Sequence, residues 1–237
     1  MATSKGVIRN LSYSQFEILD NINKLHLDGK GYDADFTYSK GGFYGTHSFV
    51  DSYGEKQTVI IEEPKIKLDV YPQTEDTIKI EPLERFPIEN ESLNSCIIDP
   101  PFVCSCGGSL KNPKKGSNMI TNRFSSYYPI YTLFESYSHL LSEAYRTLKD
   151  GGVCVFKCQN TISGSKFYCS EEFTWMEAQK QGFYVLDKAI LGANNRIISG
   201  KVKKQAHFRN YASVFWVLKK DKRQNPIDYY SKWVINC

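Results

Sequence analysis

A chain of 237 residues with 41% hydrophobic and 24% charged residues has the make-up of a folded globule, not of a disordered segment. Its seven cysteines are irregularly spaced and no pair has two residues between its members, so they read as reduced thiols rather than a structural zinc framework. The net charge of +4 does not by itself imply nucleic acid. No stretch approaches the roughly 20 apolar residues that span a bilayer, and the N-terminus lacks a secretory pattern, so the expectation is a cytoplasmic protein with no membrane partner.

In chain order, SYSQFEILDNINKLHL sets Phe16, Leu19, Ile22 and Leu25 at helical spacing, with Ser12 or Ser14 as cap and Gly29 and Gly31 as stop signals. YDADFTYSKGGFYG predicts a short strand followed by a glycine turn. GTHSFVDSYGEKQTVIIEEP has no clear period beyond a short strand at TVII. KIKLDVYP alternates into a strand that ends near Asp69, and a further strand is expected at about 77–80. The apolar run SCII then leads to Asp99-Pro100-Pro101-Phe102. Pro cannot donate to a ladder and restricts the residue before it, so the strand stops at Asp99.

From Val103 to Pro129 the chain is rich in Gly, Ser, Asn and Lys and reads as a long loop. IYTLFESYSHLLSEAYRTLKDGG is an amphipathic helix with Leu133, Tyr137, Leu140, Leu141, Ala144 and Leu148 on its apolar face, stopped by Gly151 and Gly152. A buried strand GVCVFKCQ follows. SEEFTWMEAQKQG is a helix capped by Ser170. Two strands, FYVLDKAIL and YASVFWVLKK, flank a basic loop and form an antiparallel pair. This order predicts a three-layer α/β fold with a mostly parallel sheet and an antiparallel hairpin near its end. One domain over 1–237 is expected, with an insertion at 103–128 and a short tail from about 221.

Ligands of open α/β sheets bind beyond the carboxyl ends of the strands. Acids collect at those ends: Asp33 and Asp35, Asp69, Glu81 and Asp99. The Asp99 stretch admits three readings, namely a strand-ending turn, a metal site that uses Cys104 and Cys106, and a reaction centre. Basic residues cluster in two places. Lys111, Lys114, Lys115 and Arg123 form one group, and Arg196, Lys201, Lys203, Lys204 and Arg209 the other. Both suit phosphate contact, and both also suit solvated loops. Tyr127 and Tyr128 either stack on bases or pack the following helix. Lys157 either reaches the rim of the sheet or only marks a strand end.

Asp99-Pro100-Pro101-Phe102, set after an apolar strand, resembles the signature of the amino-group DNA methyltransferases, which methylate adenine N6 or cytosine N4. IEPLERFPIENESLNSCIIDPPF resembles that family's pocket residue, linker, strand and signature. HLLSEAYRTLKDGGVCVFKCQN resembles the helix and fifth strand of S-adenosylmethionine-dependent methyltransferases, and KKQAHFRNYASVFWVLKK their terminal hairpin. The resemblance covers roughly 13–220. It implies the Rossmann-like class I methyltransferase fold, S-adenosylmethionine as cofactor, no metal, and DNA as substrate, with RNA or a protein amide as alternatives. A non-catalytic binding protein that has kept the fold is a further alternative.

By the same resemblance Asp35, Thr37, Tyr38, Lys40 and Gly41 replace the usual Gly-x-Gly turn at the cofactor's methionine end. Asp69 would take the ribose hydroxyls, and Glu81 and Pro82 would border the adenine, with Leu83 as an alternative. Asp99 and the Pro100 carbonyl would orient the amine, Pro101 would stiffen the turn, and Phe102 would stack on the extruded base. Lys114, Lys115, Arg123, Tyr127, Arg196, Lys203 and Arg209 would contact substrate. There is no room for a separate target-recognition domain. A short site, a homodimer or a separate specificity subunit is expected, as in a small orphan enzyme of a bacterium or phage.

Overall fold

The computed structural model describes residues 6–104, 108–109, 112–113, 127, 129–193, 207–208 and 210–223. The chain opens with a two-residue strand β1 (Leu11–Ser12), helix α1 (Gln15–His26) and strand β2 (Ala34–Asp35). Strands β3 (Gly45–Val50), β4 (Lys56–Ile61), β5 (Ile66–Asp69), β6 (Ile78–Lys79) and β7 (Leu93–Ile98) follow. Beyond them lie β8 (Gly108–Ser109), β9 (Asn112–Pro113), helix α2 (Tyr131–Thr147) and β10 (Leu148–Cys158). The last elements are β11 (Thr161–Ser163), β12 (Lys166–Tyr168), α3 (Ser170–Gln181), β13 (Phe183–Gly192) and β14 (Ala212–Lys220).

Eight strands form one sheet in the order β1-β13-β14-β10-β7-β2-β5-β6. Its centre is parallel: β7 pairs in parallel with both β10 and β2, as do β2 with β5 and β5 with β6. β14 is antiparallel to both β10 and β13. This is the expected three-layer α/β, Rossmann-like arrangement, with a mixed sheet between flanking layers. Among the described residues no helix is long and apolar enough to cross a membrane.

The period of two along each strand sends alternate residues to two cores. Cys154 and Phe156 of β10, Cys96 and Ile98 of β7, and Trp216 of β14 join Leu133, Tyr137, Leu141 and Ala144 of α2 on one face. Val153, Val155, Ile97, Phe215 and Val217 join Ile18, Leu19 and Ile22 of α1 on the other. At about 25 cal/mol per Å² of apolar surface removed from water, these two layers supply the main driving force for the fold. The Ser14 side chain caps α1 by accepting the Glu17 N–H. At its far end α2 is held by Lys220, which donates to the Tyr145 and Leu148 carbonyls at 2.7 Å each.

Several expectations need correcting. Leu25 is 53% exposed, and Ile18 takes the buried place on α1. Gly151 and Gly152 do not end α2; the helix stops at Thr147, and both glycines lie inside β10 at an irregularity between Leu148 and Val153. A Cβ on Gly152 would come within 3.0–3.2 Å of Lys149 and Asn94 carbonyl oxygens, so glycine serves strand contact there. α3 starts at Ser170 with Cys169 as cap, and the Ser170 hydroxyl is buried without a partner among the described residues. The stretch with no clear period forms an antiparallel hairpin, β3–β4, whose side chains are mostly exposed, so no buried alternation betrays it. The short strands β1, β11 and β12 also carry too few residues to show a period.

Candidate active site

The parallel strands β5, β2 and β7 lie side by side, and their carboxyl ends open on a cavity of about 780 Å³. Asp69, Asp35 and Asp99 all line it, as the switch between β2 and its two neighbours requires. Thr37, Tyr38, Lys40, Glu81, Pro82, Leu83, Pro100, Pro101 and Tyr127 line it too. Gly41 and Phe102 lie outside its wall, and Phe102 is half-buried. The basic groups, Lys111, Lys114, Lys115 and Arg123 in one and Arg196, Lys201, Lys203, Lys204 and Arg209 in the other, fall outside the described residues, as do Cys106 and Tyr128.

The turn after β2 is built by its own side chains. Phe36 N–H donates to Ile97 and Tyr38 N–H to Leu68, which extends the pairing of β2 with both neighbours. The Asp35 carboxylate is wholly buried. It accepts the Thr37 N–H at 2.8 Å, the Thr37 hydroxyl at 3.3 Å and the Tyr44 hydroxyl at 2.7 Å. Burial pushes its carboxyl up to about 7, against the lowering effect of these donors and with Asp99 and Asp69 adding to the rise. Asp35 therefore folds the turn with oxygens that are already engaged. Gly41 serves the turn as well: at φ +67°, a Cβ would run into the Tyr38 hydroxyl. Lys40 is exposed on the cavity wall.

Asp69 receives the Ser39 N–H at 2.8 Å and the Tyr71 N–H at 2.6 Å, one on each carboxylate oxygen. Burial raises its pKa above the usual range. Beside it the Tyr71 hydroxyl is buried without a partner among the described residues. Ile80, Phe86 and Leu140 supply an apolar wall that the sequence did not single out. Phe86 is fixed by α2: Glu143 accepts its N–H at 2.8 Å, and Arg146 donates to the Phe86 and Ile88 carbonyls.

Asp99 is held differently. Its N–H donates to the Thr37 hydroxyl oxygen at 2.7 Å, so Thr37 links the turn after β2 to the end of β7. Oδ2 accepts from the Lys157 ammonium at 3.0 Å. Oδ1 is buried and has no hydrogen-bond partner among the described residues. Pro100 is buried next to it, and the Pro101 carbonyl meets the Tyr137 hydroxyl at 3.4 Å. Tyr127 takes the packing alternative. It is 1% exposed, edge-on to Tyr137, with its hydroxyl 3.2 Å from Ser136. Lys157, which the sequence left between rim and strand end, reaches into the site. A strand-end lysine was its one sequence signal, and the partner depends on register.

No protein-family model matches the sequence. No curated protein matches it either. Several solved structures align with the chain at low identity. A candidate DNA modification methylase of Thermus thermophilus, in complex with S-adenosyl-L-methionine, aligns at 14% identity over 57% of this chain and 50% of that one, with a TM-score of 0.37. The chain thus spans about half the length of that protein. A Thermotoga maritima S-adenosylmethionine-dependent methyltransferase, a possible histamine N-methyltransferase, aligns at 12% identity over 87% and 95% of the two chains, with a TM-score of 0.42. A candidate methyltransferase of Bacillus halodurans aligns at 12% identity over 88% and 100%, with a TM-score of 0.42.

Proposed function

We propose that this chain transfers a methyl group from S-adenosylmethionine to an exocyclic amine of a DNA base, adenine N6 before cytosine N4. The observation that carries the reading is Asp99 Oδ1, buried without a hydrogen-bond partner among the described residues. A buried carboxylate oxygen without a donor is costly unless a ligand supplies one. The Asp99 position next to a rigid Pro-Pro step suits an amino group that brings two N–H donors. One would go to Oδ1 and the other to the Pro100 carbonyl.

The rest of the cavity fits the cofactor. Its volume of about 780 Å³ is in the range of small-molecule sites. Asp69 keeps acceptor capacity for ribose hydroxyls at the end of β5. Ile80, Phe86 and Leu140 offer an apolar wall beside Glu81 and Pro82 for a flat ring, and the Tyr71 hydroxyl is a second unpartnered polar atom. Tyr38 and Lys40 line the methionine end. When bound, S-adenosylmethionine supplies an activated methyl group on a sulfonium.

The acceptor amine is a weak nucleophile because its lone pair is shared with the aromatic ring. Two acceptors in fixed positions hold its hydrogens, point the lone pair into the cavity and stabilise the positive charge that grows on nitrogen. Phe102, half-buried after the Pro-Pro step, would stack on the base once it leaves the helix. Expression in a host without DNA methylation, followed by mass spectrometry of hydrolysed DNA and RNA, tests the proposal. N6-methyladenine in DNA that vanishes in Asp99→Ala is the expected result. Methylated bases in RNA alone would move the substrate, and no methylated base in either would overturn the reading.

A further inference from the structure

We infer that Lys157 is the positioning residue for Asp99: it fixes one carboxylate oxygen and leaves the other to receive a donor from a ligand. The inference rests on the methyl-transfer reading above. Register brings the two together. Ile98 of β7 pairs with Phe156 of β10, and both face the α2 core. The next residue of each strand, Asp99 and Lys157, therefore points to the opposite face, where Gln15 of α1 waits. The Lys157 ammonium lies 3.0 Å from Asp99 Oδ2 and 3.4 Å from Gln15 Oε1.

The surroundings make this contact hard to vary. The Lys157 side chain is 9% exposed, and its ammonium sits over the rings of Phe43 at 5.1 Å and Phe215 at 5.5 Å. Two ring faces favour a cation there and wall off other directions. Charge attraction is strong in so dry a place, and a buried ammonium without its carboxylate would be expensive. Asp99 in turn is pinned at two points, through its own N–H on Thr37 and through Oδ2 on Lys157. Rotation of the carboxylate about its last bond would break the ion pair, so Oδ2 stays engaged and Oδ1 keeps its lone pairs without a donor among the described residues. The ammonium also offsets a third carboxylate placed beside Asp35 and Asp69.

The test combines variants with two readouts. Lys157→Gln and Lys157→Met should lower kcat about 10- to 100-fold, with the cofactor Kd measured by calorimetry within about twofold of wild type, which also shows that the variants fold. In an Asp99→Asn background, Lys157→Gln should cost almost nothing further, because its effect passes through the carboxylate. In wild type, lysine ammonium NMR should show, besides that of buried Lys220, a slowly exchanging signal that is lost in both Lys157→Gln and Asp99→Ala. Wild-type kcat in Lys157→Gln, or an equal loss in the Asp99→Asn background, would overturn the inference and leave the methyl-transfer reading intact. A wild-type protein that binds the cofactor yet methylates neither DNA nor RNA would overturn both.

Discussion

Asp35 and Asp99 end adjacent strands of one sheet and line one cavity, yet their oxygens are used in opposite ways. Asp35 accepts from Thr37 and Tyr44 and closes its own turn. Asp99 gives one oxygen to Lys157 and leaves the other buried without a donor among the described residues. Thr37 touches both: its hydroxyl donates to Asp35 and accepts from the Asp99 N–H. An acid at a strand end is thus a weak pointer to chemistry. The informative quantity is how many of its lone pairs the protein leaves unfilled.

The largest expected effect separates the two acids directly. Asp99→Ala should reduce methyl transfer by about 10³-fold or more, with cofactor binding by calorimetry retained. Thr37→Val, which keeps shape and removes the shared hydroxyl, should lower kcat about tenfold and also lower the melting temperature. A drop in kcat with no change in melting temperature would show that Thr37 serves Asp99 alone.

Gly41→Ala should destabilise by about 1–3 kcal/mol in chemical unfolding, because the new methyl meets the Tyr38 ring from a left-handed backbone. The smallest effect is a pH dependence. Folded Asp35 holds its proton up to about pH 7, whereas an unfolded carboxyl loses it near 4. Between those values the folded state binds more protons, so this group's contribution to stability falls as pH rises through the window. The wild-type melting temperature minus that of Asp35→Asn should therefore fall from about pH 4 to about pH 8. A constant gap would mean that Asp35 is ionised throughout.

Much of the sheet was readable because its strands are punctuated. Asp99-Pro100 ends β7 where proline chemistry demands, and the apolar face of α2 is buried as its spacing predicts. The glycines at 151 and 152 misled because a pair of glycines after a helix usually stops it, whereas here they permit a strand irregularity. The β3–β4 hairpin was hidden because most of its side chains face water on both sides. In the site, the three acids could be seen as strand ends. Which of them stays open could not, since Lys157 meets Asp99 only through the pairing of β10 with β7. The apolar wall of Ile80, Phe86 and Leu140 is likewise made by residues from two stretches far apart in the chain.

The hairpin β3–β4 leaves the sheet region at Gly45 and returns at Ile61, two residues that pair with each other. Such a closed excursion can be lengthened, shortened or exchanged at its tip without shifting any strand of the main sheet. It is also anchored to α1, through the stacked rings of Phe16 and His47 at 3.6 Å and through the Ser52 N–H on Glu17. Gln15 precedes Phe16 and touches Lys157. Because Ser52 lies at the tip and His47 on β3, a cassette swapped at the tip would lose the Glu17 contact but keep the Phe16–His47 stack, and a change that also moves His47 would reach Gln15 and Lys157 through a single turn of helix.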